Sequence, residues 1–334
     1  MSNSSTASPL DVDRQPGKPP MLQAGASGDA LSWATENRDG LRAIVAEHGS
    51  ILIRGLGLRD ATEVDAVFHR LGSELMTEKE AFAARQAYPN GIYSSSTWQS
   101  NQQMCSHHEL SYMLVFPGLM MFACLSGPTA GGATGVADAP TVLEALPSDL
   151  TKRFEQEGWL LTRNYNEEMG ASVAEAFGTD ERGAVEDYCH ANAIEFEWQS
   201  DGGLRTRQRR SAIVHHPLTG QRCWFNQIAF LNEWTIDPEV REYLVEMYGD
   251  DGLPFNTRFG NGDPISADIV QAINEVYEAN ISREPLQAGD VMLVDNIRTA
   301  HSREPYEGQR EVLVALSDPV RIADCSPTIE VNTK

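Results

Sequence analysis

Apolar positions along the chain recur at two periods, and the switches between them outline the elements. Over residues 29–48, Leu31, Trp33, Leu41, Ile44 and Val45 return at helical spacing, and Gly49 ends the helix. Residues 50–58 form a short apolar run closed by glycines, the mark of a buried strand. A second helix is predicted over 60–75, with Asp60 as N-cap before Val64, Val67, Phe68 and Leu71. Residues 86–104 are rich in Ser, Asn and Gln and have no period, so they read as a long polar loop of the kind that often carries function. Strands are expected within 105–125, a turn at 127–133, and one helix over 140–158. The acidic stretch 164–192 reads as a helical surface insertion. Strands follow over 194–231 with a turn at 217–220, then helices over 238–248 and 266–280, then strands at 291–295 and 312–316. Strands bracket the apolar region, with helices before and between them. That order predicts an α+β domain on a β-sandwich or β-barrel, not alternating βαβ units. Residues 1–24 are rich in Ser, Pro, Asp and Gly and predict a disordered leader, leaving one domain over 25–334.

Charge narrows the function. Lys and Arg number 26 against 48 Asp and Glu, a net charge of −22. Such a chain is a poor partner for nucleic acid, which needs clustered cations, and for an anionic membrane surface. No run approaches the roughly 18 apolar residues of a membrane span, and no secretory signal is visible. The five cysteines are scattered without a CxxC, which predicts reduced thiols in a cytoplasmic protein.

The chemistry concentrates in CSHHELSY at 105–112. On a strand, His107 and Glu109 share one face and His108 takes the other. One imidazole and one carboxylate form two thirds of a facial triad, and His301, just past the strand at 291–295, is the best third member. Two histidines and a carboxylate with open positions suit non-haem Fe(II). A zinc hydrolase could use the same donors. His108, His215 and His216 are other possible ligands, and spacing alone does not choose among them.

Four segments occur in order: HHELSY, GGAT, HPLTG–WFNQ, and GDVMLVDN with its following H, R, PY, G and R. Together they resemble the taurine-dioxygenase/TfdA-like superfamily of Fe(II)- and 2-oxoglutarate-dependent oxygenases over roughly residues 45–320. Within it, the chain resembles the group that includes the syringomycin-pathway amino-acid hydroxylase. The resemblance implies a double-stranded β-helix (jelly-roll) core with flanking helices. It also implies His107, Glu109 and His301 as ligands of Fe(II), with 2-oxoglutarate and O2 as co-substrates. Arg310 matches an arginine that pairs with the distal carboxylate of 2-oxoglutarate, and Thr134 a threonine bonding the same group. Arg303 could contact substrate or brace a ligand. The pattern departs from the family at His108, at SSTWQS (residues 95–100) and at HSR (301–303), which puts the substrate pocket and not the ligand set in question.

The group suggests an amino acid, or an aminoacyl group on a carrier protein, as the small-molecule substrate, oxidised at an unactivated carbon such as Cβ. Glu109 favours hydroxylation over halogenation, since related halogenases lack the carboxylate. Desaturation, epoxidation and cyclisation remain open, as does sulfonate or aryloxyalkanoate oxidation. Arg207, in LRTRQRR (residues 204–210), is a candidate for a substrate carboxylate, and that cluster a candidate docking patch for a carrier. Trp98, Gln99, Asn101 and Gln102 are candidate lid residues, and His108 a candidate neighbour of the site. A homo-oligomer is compatible with the sequence. A non-catalytic β-helix scaffold is the remaining alternative, and it predicts degraded ligand positions.

Overall fold

Asp29 and Gly49 bracket the first helix, Ala30–His48, in the computed structural model, which describes residues 10–25, 29–83, 85–166, 170–200 and 202–330. Asp29 accepts from the Ser32 amide, and Gly49 closes the helix at φ 80°. Asp60 likewise caps Ala61–Leu71 by accepting from the Thr62 and Glu63 amides. Both helices lie on one face of a seven-stranded sheet. Its order is Met21–Gln23, Ser50–Arg54, Val291–Asp295, Val115–Ser126, Glu311–Arg321, Ile92–Ser94 and Ala87–Tyr88. The period of two divides the central strands between two cores. Leu119, Met121, Ala123, Leu293, Leu313 and Ala315 pack against the helices with Leu41, Val45, Val64 and Phe68. Met120, Phe122, Met292, Val312 and Val314 face inward.

That inner face meets a four-stranded sheet ordered Ile281–Glu284, Thr134–Asp138, Thr299–Arg303, Met104–His107. Val136, Ala137 and Ala300 of this sheet join the same core as Met120 and Phe122. The site lies between the two sheets. A third sheet, Glu195–Trp198, Leu204–Arg210, Trp159–Tyr165 and Phe255–Phe259, carries the helices Val173–Phe177 and Arg182–Ala191. These helices bury Phe177, Val185 and Cys189 against Tyr165, Ile194 and Leu204, so the acidic segment has a core of its own beneath its charged surface.

Several expectations need correction. Part of the predicted leader is ordered: Met21–Gln23 pairs in parallel with Ser50–Arg54, and Leu22 is buried. Backbone pairing compensates there for the missing apolar period; residues 1–9 lie outside the described residues. The helix expected over 140–158 is two, Ala139–Ala145 and Ser148–Glu157, because Pro147 interrupts the turn between them. The strand expected at 312–316 extends over Glu311–Arg321. The strands Thr134–Asp138, Ile281–Glu284 and Thr299–Arg303 escaped the pattern. Thr299–Arg303 (TAHSR) is polar in sequence yet buried at every position, because it faces a polar cavity. No described helix is long and apolar enough to cross a membrane.

Gly49 joins the first helix to the site. A Cβ there would lie 2.2 Å from the Thr299 hydroxyl, at the start of the His301 strand, and φ is already left-handed. Gly49→Ala is expected to lower unfolding free energy by about 1–3 kcal/mol, read as a lower urea midpoint; an unchanged midpoint would refute this contact.

Candidate metal centre and anion-binding cavity

Two histidines meet because two strands pair. His107 ends Met104–His107, His301 is central in Thr299–Arg303, and the two are direct antiparallel partners. Their ring centroids are 4.3 Å apart. The register then shifts, and Arg303 falls opposite Met104.

Glu109 arrives by a different route from the one its spacing suggested. The strand ends at His107, so Glu109 lies in the turn beyond it, where Leu110 adopts φ 52°. Asn296 fixes this turn: its Oδ1 accepts from the Glu109 amide at 2.8 Å, and its Nδ2 donates to the Glu109 carbonyl at 2.9 Å. The Glu109 Oε2 then stands 3.8 Å from His107 Nε2 and 3.6 Å from His301 Nε2. Ligand atoms of these three residues all lie within 4.8 Å of one another, and among the described residues no other His, Cys, Asp and Glu group does this.

The protonation state suits a divalent cation. His107 Nδ1 lies 2.8 Å from the Cys105 carbonyl, which can only accept. Nδ1 therefore carries a hydrogen, which leaves Nε2, on the Glu109 side, as the nitrogen available to a metal. Burial pushes His301 down to about 4, so it is neutral near pH 7. Burial alone would raise Glu109, but the carboxyl is held well below its usual range, chiefly by the Arg85 guanidinium beside it. Two imidazoles and one buried carboxylate fit the donor set of a facial triad.

The other histidines are committed elsewhere. His108 points away from the triad, with Nδ1 2.6 Å from the Asn296 carbonyl and its ring against Phe225. Burial pushes its pKa down to about 3. His216 accepts from the Leu218 and Thr219 amides through Nδ1, so its Nε2 donates to Asp295 at 2.9 Å. His215 lies 3.2 Å from the Ser326 carbonyl. HPLTG and WFNQ thus serve as props: Gln227 donates to the His108 carbonyl, and Trp224 and Phe225 are core.

Beside the triad the cavity is lined by Thr134, Arg303 and Arg310, by Ser95 and Ser96, and by Met104, Met120, Phe122, Val312 and Val314. Arg310 has no carboxylate beside it among the described residues; burial and the Arg303 charge lower its pKa. Thr134 is directly opposite Arg303 in the sheet. The cavity therefore holds a desolvated guanidinium and a hydroxyl within one chamber, the groups a carboxylate would need.

Other expected residues are placed differently. Arg303 donates to the carbonyls of Trp98, Gln99 and Gln102, at 3.3, 2.7 and 2.7 Å, and so pins the polar loop. The Gln99 and Asn101 side chains are exposed, and neither they nor Gln102 lines the cavity. Trp98 acts at one remove: it packs on Phe230, which stacks on His107 with centroids 4.3 Å apart. Arg207 is corrected outright, since alternation on Leu204–Arg210 turns it to solvent opposite Glu195, away from the cavity. Arg205, Arg209 and Arg210 bind Asn164, the Glu157 carbonyl and the Tyr112 carbonyl, and of the four arginines only Arg207 and Arg209 are exposed. Sequence reasoning missed Arg85, Asn296 and Phe230. Arg85 had no motif around it, whereas Asn296 stood in the DN pair that precedes His301.

A family model for "Taurine catabolism dioxygenase TauD, TfdA family" matches residues 13–316. The dapdiamide synthesis protein DdaC of Enterobacter agglomerans is 34% identical over 277 residues, 83% of this chain and 84% of that one. A clavaminate synthase-like protein of Arabidopsis thaliana is 26% identical over 287 residues, 83% of each chain. Among solved structures, PvcB from Pseudomonas aeruginosa aligns over 100% of this chain and 99% of its own, with TM-score 0.57 at 13% identity, a likeness of fold. The chain belongs to the TauD/TfdA family and is an Fe(II)- and 2-oxoglutarate-dependent dioxygenase.

Proposed function

We propose that His107, Glu109 and His301 hold Fe(II), that Arg310 and Thr134 grip the distal carboxylate of 2-oxoglutarate, and that the enzyme hydroxylates an unactivated C–H bond, at Cβ, of an amino acid in specialised metabolism. The observation that carries the co-substrate assignment is Arg310: a desolvated guanidinium without a carboxylate partner, in the chamber that holds the triad. The paired sheets around it are read as a double-stranded β-helix. Kinship to a dapdiamide synthesis protein supports specialised metabolism.

Bound iron, with 2-oxoglutarate and O2, would supply the oxidation itself. The protein's own residues supply orientation and exclusion. The Cys105 carbonyl keeps the proton on His107 Nδ1, leaving Nε2 free to ligate. Asn296 holds the Glu109 turn from both its amide and its carbonyl. Arg303, in the cavity wall, holds three loop carbonyls and so fixes the loop beside it. Met104, Met120, Phe122, Val312 and Val314 give it apolar walls that exclude bulk water. Arg207 is turned to solvent and Arg210 is buried in the fold, so neither meets a substrate inside the cavity, and the substrate is read as a free amino acid. The five cysteines are all unpaired, in keeping with a reducing cytoplasm. A zinc hydrolase would leave Arg310 and Thr134 without a task, and a scaffold would not need three intact donors.

Arg310→Ala is expected to raise the 2-oxoglutarate concentration for half-maximal succinate formation by roughly a hundredfold, the equivalent of one buried charge-assisted pair; a near-normal value would remove Arg310 from this role. His301→Ala should abolish succinate formation and weaken Fe(II) binding, measured by calorimetry on the apo-protein. A panel of free amino acids should contain one that stimulates succinate release and gains the mass of one oxygen. Stimulation only by sulfonates or aryloxyalkanoates would overturn the substrate reading.

A further inference from the structure

We infer that Arg85 is a positioning residue that keeps Glu109 bound to iron through one oxygen only. This rests on the reading of His107, Glu109 and His301 as the iron site. The two carboxylate oxygens of Glu109 have different neighbours. Oε2 faces both imidazoles, at 3.8 and 3.6 Å, and Oε1 accepts from Arg85 Nη2 at 3.1 Å. The side chains of Arg85 and Glu109 are 6% and 1% exposed, so water does not compete for this bond. Arg85 is held from its other side by Glu78, 3.3 Å from Nε, whose carboxylate is also buried.

The consequence is a matter of counting. Two histidines and one carboxylate oxygen leave three positions on an octahedral ion. A 2-oxoglutarate chelate would take two and O2 the third. If Glu109 Oε1 also ligated, no position would remain for O2. A guanidinium bonded to Oε1 opposes this by engaging that oxygen and by setting a positive charge beside the place where a second metal bond would form.

Arg85 is itself preorganised. It ends a segment whose centre, Glu80, is a buried hub with φ 54°. The Glu80 carbonyl accepts from Tyr112 at 2.7 Å and from Arg163 at 2.6 Å. Its carboxylate accepts from Tyr188 at 2.8 Å and Gln208 at 3.2 Å. The insertion and the third sheet are thereby fastened to the segment that delivers Arg85. Phe82, on the same segment, packs on Phe230, which stacks on His107. One segment thus braces two of the three ligands.

The test uses nitric oxide as a stand-in for O2. The anaerobic holoenzyme with Fe(II) and 2-oxoglutarate is titrated with nitric oxide and followed by electron paramagnetic resonance, for the wild type, Arg85→Met and Arg85→Lys. Arg85→Met should lower nitric oxide affinity roughly ten- to a hundredfold, the worth of one charge-assisted hydrogen bond. The 2-oxoglutarate chelate band should persist in that variant, and Arg85→Lys should recover part of the loss. Unchanged nitric oxide binding in a variant that keeps the band overturns the inference, as does a rise only in the substrate's KM. Should Arg85→Met fail to fold, a crystal structure of the wild-type Mn(II) enzyme decides: Oε1 on Arg85 supports the inference, and Oε1 on the metal overturns it. Absence of the chelate band in the wild type would instead overturn the iron-site reading beneath it.

Discussion

The antiparallel pairing of His107 with His301 is the constraint on which the rest of the site depends. Nearly two hundred residues separate them, and only the backbone ladder between their strands brings the rings to 4.3 Å. Register gives this contact its rigidity, because a slip of one residue would turn either imidazole to the opposite face. Everything adjacent defends the register. Thr299 abuts Gly49 at the end of the first helix, and Asn296 ties the turn before His301 to the turn after His107. His216 donates to Asp295 one residue earlier. A strand reading TAHSR can afford to be polar because its side chains serve the cavity and its neighbours hold it in place.

The chain carries a charge of −22 overall, yet three arginines and one carboxylate line the cavity. Each guanidinium has a different neighbour. Arg303 is spent on loop carbonyls, Arg85 on Glu109 and Glu78, and Arg310 on no carboxylate among the described residues. The cationic chamber gives a small anion a local attraction within an acidic chain, without an extended basic surface.

Periodicity made much of the fold legible. The first two helices, the helix Pro238–Tyr248 and the strand Val291–Asp295 follow directly from apolar spacing and capping residues. The triad was legible for another reason: ligand chemistry restricts residue type, and two histidines with a carboxylate stand out even when far apart. What stayed hidden was set by tertiary contact. Met21–Gln23 is a strand only because Ser50–Arg54 pairs with it. Glu109 needed Asn296 to turn it inward. Arg207 fell on the wrong side of a strand whose alternation was clear but whose inner face was not. Arg85 sits in a segment without period, and its placement comes from its ion pairs with Glu78 and Glu109 and from the Glu80 hub on the same segment.

We propose that one chamber holds Fe(II) on the triad and 2-oxoglutarate on Arg310. The most direct measurement is anaerobic titration of the apo-protein with Fe(II) and then 2-oxoglutarate, watching for the weak visible charge-transfer band of the chelate. The expected result is a band that saturates at one equivalent of each. A folded, iron-loaded protein that develops no band with 2-oxoglutarate would contradict it.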